Sequence, residues 1–244
     1  ENNPQVDPEI YNKAFEFAHV YDASNPEHQV MHQAFSPIYQ AWQNIFGGEL
    51  TFICSGGAHL RTELCRFLNN AGIPILEGYG MTEAPVISVN PFSAPKPGTA
   101  GRAFSETNIK IAEDGEILVS GPQIMETYYK DAEATDDVLK DGWLHTGDMG
   151  AFDDDGYLTL KDRSKDMIIS GGSNIYPREI EEILLRHPDV MECAVVGRPH
   201  EEWGEEVIAF VTPREGADVD TGELDALCLE NIARFKRPKG YRVA

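Results

Sequence analysis

The 244-residue sequence predicts an α/β fold that is followed by a small α+β domain. Short apolar segments alternate with helix-like segments between about residues 50 and 80, which is typical of an α/β sheet. From about residue 95, short strand-like segments are separated by Asp-Gly turns. Beyond residue 163, strand patterns alternate with amphipathic helix patterns in a compact final stretch.

The chain begins with a helical region over about residues 8–46. Apolar residues recur there at spacings of three and four, which predicts helix. Pro26 and Pro37 lie inside this stretch, and because proline removes a helical hydrogen bond we expect both to break it.

A strand–turn–helix unit comes next. Residues 50–54 are predicted to form a buried strand that runs into Ser55-Gly56-Gly57-Ala58, and a helix is expected over about 61–71. Another short strand at 73–76 precedes Glu77-Gly78-Tyr79-Gly80-Met81-Thr82-Glu83. Glycine between strand and helix lets the backbone approach a ligand closely, but a tight turn without a ligand has the same pattern. Thr82-Glu83 is likewise compatible with a helix N-cap followed by an acid in the first turn.

The remaining elements follow from strand patterns, turns and helical periodicity. We expect strands at 109–111, 116–120, 147–152 and 157–160, with Asp-Gly turns at 114–115 and 155–156. In the last stretch we expect strands at 167–170, 190–196 and 207–211, and helices over about 178–186 and 221–232.

Composition narrows the functional class. The hydrophobic share of 41% and the charged share of 25% are those of a globular protein. The formal net charge of −21 repels phosphate backbones, so we expect no nucleic-acid partner. No apolar run approaches the ~20 residues of a transmembrane helix, and the first residues do not resemble a signal peptide. Four dispersed cysteines favour a reducing, cytoplasmic location.

A carboxylate and an arginine are the first candidates for a binding site. Asp148 ends the segment Gly-Trp-Leu-His-Thr-Gly-Asp, and Arg163 follows a short hairpin later. A carboxylate accepts hydrogen bonds from a vicinal diol, and arginine offers fixed donors at any working pH. Together these two side chains are suited to hold a ribose. A turn residue and a surface ion pair are the alternatives.

This region resembles the junction between the large and small domains of the acyl-adenylate-forming enzymes. Ser55-Gly56-Gly57-Ala58 and Tyr79-Gly80-Met81-Thr82-Glu83 resemble two further motifs of that superfamily, in the same order. The resemblance implies that residues 1–164 are the C-terminal part of the large AMP-binding domain, with an α/β portion (1–94) and a small β-barrel portion (95–164). Residues 165–244 then form a C-terminal lid domain that stops before its end.

The resemblance also implies roles for individual residues. Thr82 and Glu83 are the implied catalytic residues: Thr82 bonds the α-phosphate and Glu83 ligates Mg²⁺. Lys165 is the implied hinge of the small domain. The implied residues for binding AMP or ATP are Gly56, Gly57, Ala58, Glu77, Gly78, Tyr79, Gly80, Met81, Thr82, Asp148 and Arg163, and those of the CoA channel are Ser170, Gly171 and Gly172.

Two parts of the superfamily's pattern are absent from the sequence. One is the glycine-, serine- and threonine-rich loop that holds the outer phosphates, and the other is the late lysine that contacts the carboxylate during adenylation. We therefore expect that this chain alone cannot complete adenylation. The basic cluster of Arg234, Lys236, Arg237, Lys239 and Arg242 is compatible with CoA phosphates or with a solvated face.

Within the superfamily the chain most resembles long-chain fatty acyl-CoA synthetases. The implied reactants are ATP with Mg²⁺, CoA and a medium- or long-chain fatty acid, and such an enzyme is compatible with a peripheral position at the membrane. Two alternatives stay open: an enzyme that loads a carrier protein, and a non-catalytic nucleotide-binding or interaction module. The sequence predicts no oligomeric state.

Overall fold

A computed structural model describes residues 7–243, which form two compact units. The first unit contains the residues through Ile109 together with Val119–Thr135 and Phe152–Thr159. The second contains Lys110–Leu118, Asp136–Ala151 and the residues from Leu160 onward. The sequence-based division at residues 164 and 165 remains a prediction.

Two helices open the first unit: α1 (Pro8–Val20) and α2 (Pro26–Ile45). Each has a capping side chain, since Asp7 accepts from the Glu9 N–H and Asn25 from the Glu27 N–H, both at 2.9 Å. Pro26 lies in the first turn of α2, where a missing N–H costs little. The expectation that Pro37 ends a helix was wrong. It lies inside α2. The helix continues past Pro37 despite the lost hydrogen bond, because the next turn buries Ile38, Tyr39 and Trp42.

A four-stranded sheet follows, in the order β1-β2-β3-β4. Its elements are β1 (Ile53–Ser55), α3 (Thr62–Asn70), β2 (Ile75–Met81), β3 (Ala84–Val89) and β4 (Arg102–Ala103). The strand–helix–strand order is confirmed, because α3 connects the parallel strands β1 and β2. The first strand was predicted to be buried at 50–54, but it is shorter and none of its residues is buried. The predicted strand at 73–76 extends further, through Met81, and pairs with β3 in a hairpin. Thr82 and Glu83 are therefore a hairpin turn, and the helix-cap reading of this pair was wrong.

A five-stranded sheet is built from the centre of the chain. It contains β5 (Asn108–Ile111), β6 (Glu116–Ser120), β7 (Leu139–Lys140), β8 (Trp143–Phe152) and β9 (Leu158–Arg163), and helix α4 (Ala132–Val138) precedes β7. The strand order is β5-β6-β8-β7, with β9 paired to β8. The expected β-barrel portion is not closed over the described residues. Among the described strands β5 pairs with β6 alone, so the sheet keeps an open edge instead of closing on itself.

The second unit ends in a second five-stranded sheet covered by two helices. Its elements are β10 (Ile168–Ser170), β11 (Ser173–Ile175), α5 (Pro177–Leu184), β12 (Val190–His200), β13 (Gly204–Pro213), α6 (Thr221–Asn231) and β14 (Gly240–Val243). The strand order is β11-β10-β13-β12, and β14 pairs with β13 in parallel. Ile180, Leu184 and Leu224 of the helices are fully buried against Val207 and Ala209 of β13. This core confirms the predicted α+β domain.

Over residues 7–243 no helix is both long enough and apolar enough to cross a lipid bilayer.

Candidate functional site

In the first unit, a glycine turn at the end of β1 lies beside β2. Ser55 pairs with Glu77 across the parallel strands, and a Cβ atom added to Gly56 would be 3.4 Å from the Gly78 carbonyl oxygen. Gly57 has φ +79° and open space where a Cβ would stand. Gly56, Gly57 and Ala58 are all exposed. The backbone is thus accessible to a flat ligand on this side of β2.

The segment Tyr79-Gly80-Met81 forms an irregular end of β2. Its pairing with β3 shifts register between Tyr79 and Met81. A Cβ atom at Gly80 would overlap the carbonyl group of Pro85, so the two backbones approach as closely as glycine permits. Tyr79 keeps 8% of its surface exposed. This bulge turns the chain into Thr82 and Glu83, as bulges beside binding sites commonly do.

Glu77 is held by the protein itself. Its side chain is 8% exposed and accepts the Gly98 N–H at 2.9 Å, while its carbonyl accepts the Asn90 N–H at 2.9 Å. Burial, followed by a hydrogen bond to Glu77, raises the pKa of the Cys65 thiol to about 12. The Glu77 side chain therefore supports β2 from within the first unit.

Thr82 and Glu83 lie at the tip of the β2–β3 hairpin. Thr82 is exposed and Glu83 is half-buried. The Tyr128 hydroxyl donates to Glu83 Oε1 at 2.6 Å, and this bond is the first cause that raises the pKa of Tyr128 to about 12. The hydroxyl therefore keeps its proton and remains a donor at neutral pH. Glu83 Oε2 has no hydrogen-bond partner within residues 7–243.

In the second unit, the predicted ribose pair is brought together. Arg163 Nε lies 4.0 Å from Asp148 Oδ1, with 65% of the arginine side chain and 23% of the aspartate side chain exposed. Just beyond the end of β9, the Ser164 N–H donates to the Gly147 carbonyl in the middle of β8 at 2.8 Å. The two side chains lie close enough for one small ligand to contact both.

A carboxylate that motif reasoning missed holds the strand before Asp148. Glu116 Oε1 accepts the Gly147 N–H at 2.8 Å, and Glu116 Oε2 lies 2.8 Å from His145 Nδ1. Thr146 Oγ1 adds a third bond, since it accepts the Asp148 N–H at 3.1 Å. Gly147 has φ +71°, a conformation that favours glycine. These bonds fix the backbone from which Asp148 projects.

The predicted hinge residue lies in the turn between β9 and β10. Lys165 is exposed and lines an open cavity of about 450 Å³ together with Asp162, Asp166, Glu181 and Glu205. Burial, with some help from neighbouring carboxylates, raises the pKa of Glu181, whose Oε1 accepts the Val195 N–H at 2.8 Å. The structure places Lys165 at an element boundary, where backbone rotation disturbs little packing.

The predicted CoA-channel residues form the β10–β11 turn. Ser170 ends β10, and Gly171 and Gly172 follow with φ +56° and +78°. The Gly171 N–H donates to the Trp203 carbonyl at 2.9 Å, and a Cβ atom at Gly171 would lie 2.9 Å from the Trp203 ring. At Gly172 the corresponding space is open. Only glycine fits the first position, while the second is accessible from outside.

Part of the predicted basic cluster is used in ion pairs. Lys236 Nζ lies 2.6 Å from a Glu179 oxygen, and Arg237 pairs with Asp225. Both pairs tie the last segment of the chain to helices α5 and α6. This arrangement favours a structural role for Lys236 and Arg237 over phosphate binding.

Sequence reasoning missed Glu116, Tyr128 and Trp203. Tyr128 and Trp203 contact the predicted site residues Glu83 and Gly171, and Glu116 accepts a hydrogen bond from Gly147, the neighbour of Asp148. Tyr128 and Glu83 are separated by 45 residues, and Gly171 and Trp203 are brought together only because β10 pairs with β13. Glu116 follows an Asp-Gly turn, so it was assigned to a strand without regard to its charge. No local spacing signals such contacts.

Comparison with known proteins gives two matches to family models. The AMP-binding enzyme model matches residues 8–129, and the model of the AMP-binding enzyme C-terminal domain matches residues 179–244. The first match alone covers half of the chain.

Two curated relatives have 44% sequence identity to the chain. They are an indoleacetate–CoA ligase from Aromatoleum aromaticum, over 81% of this chain and 41% of that protein, and a long-chain-fatty-acid–CoA ligase from Bacillus subtilis, over 77% of this chain and 36% of that protein. The chain thus spans less than half the length of these two relatives.

A solved relative has the same architecture. The o-succinylbenzoate CoA synthetase from Bacillus subtilis, in complex with its acyl-adenylate intermediate, aligns with a TM-score of 0.74 and 36% identity over 80% of this chain and 42% of that one. Its complex with ATP and a magnesium ion aligns with a TM-score of 0.72 and 33% identity, over 84% of this chain and 46% of that one. Sequence and fold agree, and the chain belongs to the AMP-binding enzyme family, of which it contains sequence from both the main and the C-terminal domain.

Proposed function

We propose that this chain is part of an ATP-dependent acid–thiol ligase of the AMP-forming type. In the first half-reaction, a carboxylate oxygen attacks the α-phosphorus of ATP, the bond to the bridging oxygen breaks, and pyrophosphate leaves. In the second, the sulfur of CoA attacks the acyl carbon of the acyl-AMP, AMP leaves, and the thiol proton is released. The named relatives, all CoA ligases or synthetases, support this reaction class.

The observation that carries the proposal is the pairing of Asp148 with Arg163. We assign the ribose hydroxyls to Asp148 and a supporting role to Arg163. The aspartate carboxylate has two acceptor oxygens, which suit the two hydroxyl groups of a vicinal diol. The arginine is exposed enough to move onto a ligand oxygen.

We assign the rest of the nucleotide to the glycine turn and the β2–β3 hairpin. We assign adenine to Tyr79 and to the backbone of Gly56, Gly57 and Ala58. The residues that flank Tyr79 belong to the same nucleotide-binding site: Glu77, Gly78, Gly80 and Met81. Thr82 would bond the α-phosphate. Open space at Gly57 and the exposure of Thr82 fit these roles. Anionic reactants need such donors, because negative charge develops on the phosphate oxygens and the leaving pyrophosphate in the transition state.

We assign Mg²⁺ to Glu83, and the residues present fit the ion. No cluster of three or more metal-ligating side chains exists within residues 7–243. Mg²⁺ is commonly bound by one or two carboxylates together with substrate phosphates and water, so one carboxylate suffices. Glu83 Oε2, which accepts no hydrogen bond from residues 7–243, is available for it. The ion would neutralise phosphate charge.

We assign the second half-reaction to the final domain. Lys165 would be the hinge on which that domain rotates, and Ser170, Gly171 and Gly172 would border the channel for the thiol. The open space beside Gly172 and the boundary position of Lys165 support these assignments.

For the acid, we propose a medium- or long-chain fatty acid. The relative from Bacillus subtilis that acts on long-chain fatty acids supports this choice. An aryl or arylacetic acid is the second candidate, because the indoleacetate–CoA ligase is equally identical in sequence to the chain.

Acid-dependent exchange of pyrophosphate into ATP tests the proposal. The assay compares this chain with a version extended at both ends to the length of its relatives, on fatty and arylacetic acids. We expect exchange only in the extended protein, and the preferred acid identifies the substrate class. If neither protein exchanges pyrophosphate with any of the acids, the ligase assignment is overturned.

Asp148→Asn in the extended protein tests the observation that carries the proposal. We expect the half-saturating ATP concentration to rise about tenfold, which corresponds to roughly 1.4 kcal/mol of lost binding. Asp154→Asn, in an exposed turn, is the matched control and should leave ATP binding unchanged. Equal ATP dependence in both variants would contradict the ribose role.

A further inference from the structure

A tyrosine outside the recognised motifs contacts the carboxylate at the tip of the β2–β3 hairpin. Tyr128 lies 45 residues beyond Glu83, and its hydroxyl donates to Glu83 Oε1 at 2.6 Å. The bond lies in a partly buried environment within the first unit. Short bonds to a carboxylate are about twice as strong as bonds between neutral groups.

Tyr128 is itself anchored at its backbone. Its N–H donates to Thr135 Oγ1 at 3.0 Å, and that hydroxyl donates to the Asp131 carbonyl at 2.7 Å. Thr135 is only 9% exposed and has a short side chain, so its hydroxyl has little freedom to move. The tyrosine ring therefore starts from a fixed point.

The segment from Met125 to Tyr128 also binds Glu83 through its main chain. The Met125 N–H donates to the Glu83 carbonyl at 2.8 Å. Met125 and Tyr128 thus hold the backbone and one carboxylate oxygen of Glu83. With both ends fixed, the side chain loses most of its rotational freedom before any ligand binds.

The direction of the bond leaves a specific atom available. Tyr128 occupies Oε1, whereas Oε2 accepts nothing from residues 7–243. Because the donor is a neutral hydroxyl, the carboxylate keeps its full charge. A lysine or arginine in this place would weaken the attraction for a cation, and a phenylalanine would leave the carboxylate free to rotate.

We propose that Tyr128 is a positioning residue that holds the Glu83 carboxylate with Oε2 directed to the magnesium ion of the bound nucleotide. This inference rests on the proposed function, in which Glu83 ligates Mg²⁺. Hydrogen-bond partners of metal ligands change metal affinity by about 10- to 100-fold when they are removed. We expect the lower end of that range, because Mg²⁺ is also held by phosphate oxygens.

Binding of Mn²⁺ is the direct test, followed by electron paramagnetic resonance. The full-length protein is mixed with an ATP analogue that carries a methylene bridge between the α- and β-phosphates, so no reaction occurs. Tyr128→Phe should bind Mn²⁺ about tenfold more weakly. Tyr129→Phe, at a neighbouring tyrosine that is 86% exposed, is the matched control and should bind as the wild type does.

A double-mutant cycle with Glu83→Gln separates positioning from a general loss of structure. If Tyr128 acts through the Glu83 carboxylate, adding Tyr128→Phe to Glu83→Gln weakens Mn²⁺ binding no further. An equal tenfold loss in both backgrounds would overturn the proposal, as would a single Tyr128→Phe variant with wild-type affinity. If Glu83→Gln itself leaves Mn²⁺ binding unchanged, the role of Glu83 fails, whereas the ligase assignment is judged by pyrophosphate exchange.

Discussion

Replacement of Glu116 by alanine should destabilise the second unit and disturb Asp148. The substitution removes two contacts of a carboxylate that is only 16% exposed: the Gly147 N–H at 2.8 Å and the His145 ring at 2.8 Å. A hydrogen bond to a charged group contributes about 1.5–3 kcal/mol. Because the His145 side chain is 31% exposed, we expect its hydrogen bond to contribute no more than the lower end of this range. We expect a loss of about 2–4 kcal/mol in the free energy of unfolding.

Glu116→Gln divides this loss into its two parts. Its amide oxygen still accepts the Gly147 N–H, while its amide nitrogen cannot accept from His145, so we expect a loss of about 1 kcal/mol. Urea unfolding followed by circular dichroism measures both variants, with Glu113→Ala, an exposed neighbour, as the control. An alanine variant as stable as that control would refute the reasoning. In the extended protein, Glu116→Ala should also raise the half-saturating ATP concentration, because Asp148 loses its support.

Two further predictions concern backbone strain and pH. Gly101→Ala would place a Cβ against the Val89 carbonyl carbon at φ +80° and should lower the free energy of unfolding by more than about 3 kcal/mol. Gly156→Ala, with φ +79° and open space, should cost only about 1 kcal/mol, and urea unfolding measures both variants. The pKa of Glu181 is raised above its ordinary 4.5, so the unfolded carboxyl ionises first as pH rises and the wild type loses stability. Glu181→Gln should therefore gain stability relative to wild type as the pH rises above about 4.5 in urea unfolding, and a difference that does not change with pH would contradict the burial argument.

Much of the fold could be predicted because local patterns and packing agree. Alternating strand and helix patterns fixed β1, α3 and β2 in order, and Asp-Gly turns marked the ends of β5 and β8. Pro37 was misread for the opposite reason. Proline by itself favours a break in a helix, but the tertiary packing of Ile38 and Trp42 outweighs one lost hydrogen bond.

Motifs in the sequence name the candidate site residues, whose roles remain predictions, but do not reveal their contacts. Asp148 and Arg163 were paired in advance because a short hairpin separates them, and the structure places them 4.0 Å apart. Thr82 and Glu83 were harder to place. Their cap-like sequence is compatible with a helix, and only the β3 partner strand decides that they form a turn.

Glu116 and Tyr128 have in common that they act on motif residues from outside the motifs. Each supplies a hydrogen bond from a distant position in sequence: Glu116 to the backbone before Asp148, and Tyr128 to the side chain of Glu83. Glu83 and Asp148 are only partly buried, so solvent competes for the orientation of their side chains and the local backbone alone fixes them poorly. A partner that approaches from the protein side removes that freedom without occupying the ligand-facing atoms. It follows that loss of such a partner should weaken ligand binding while leaving every motif residue in place.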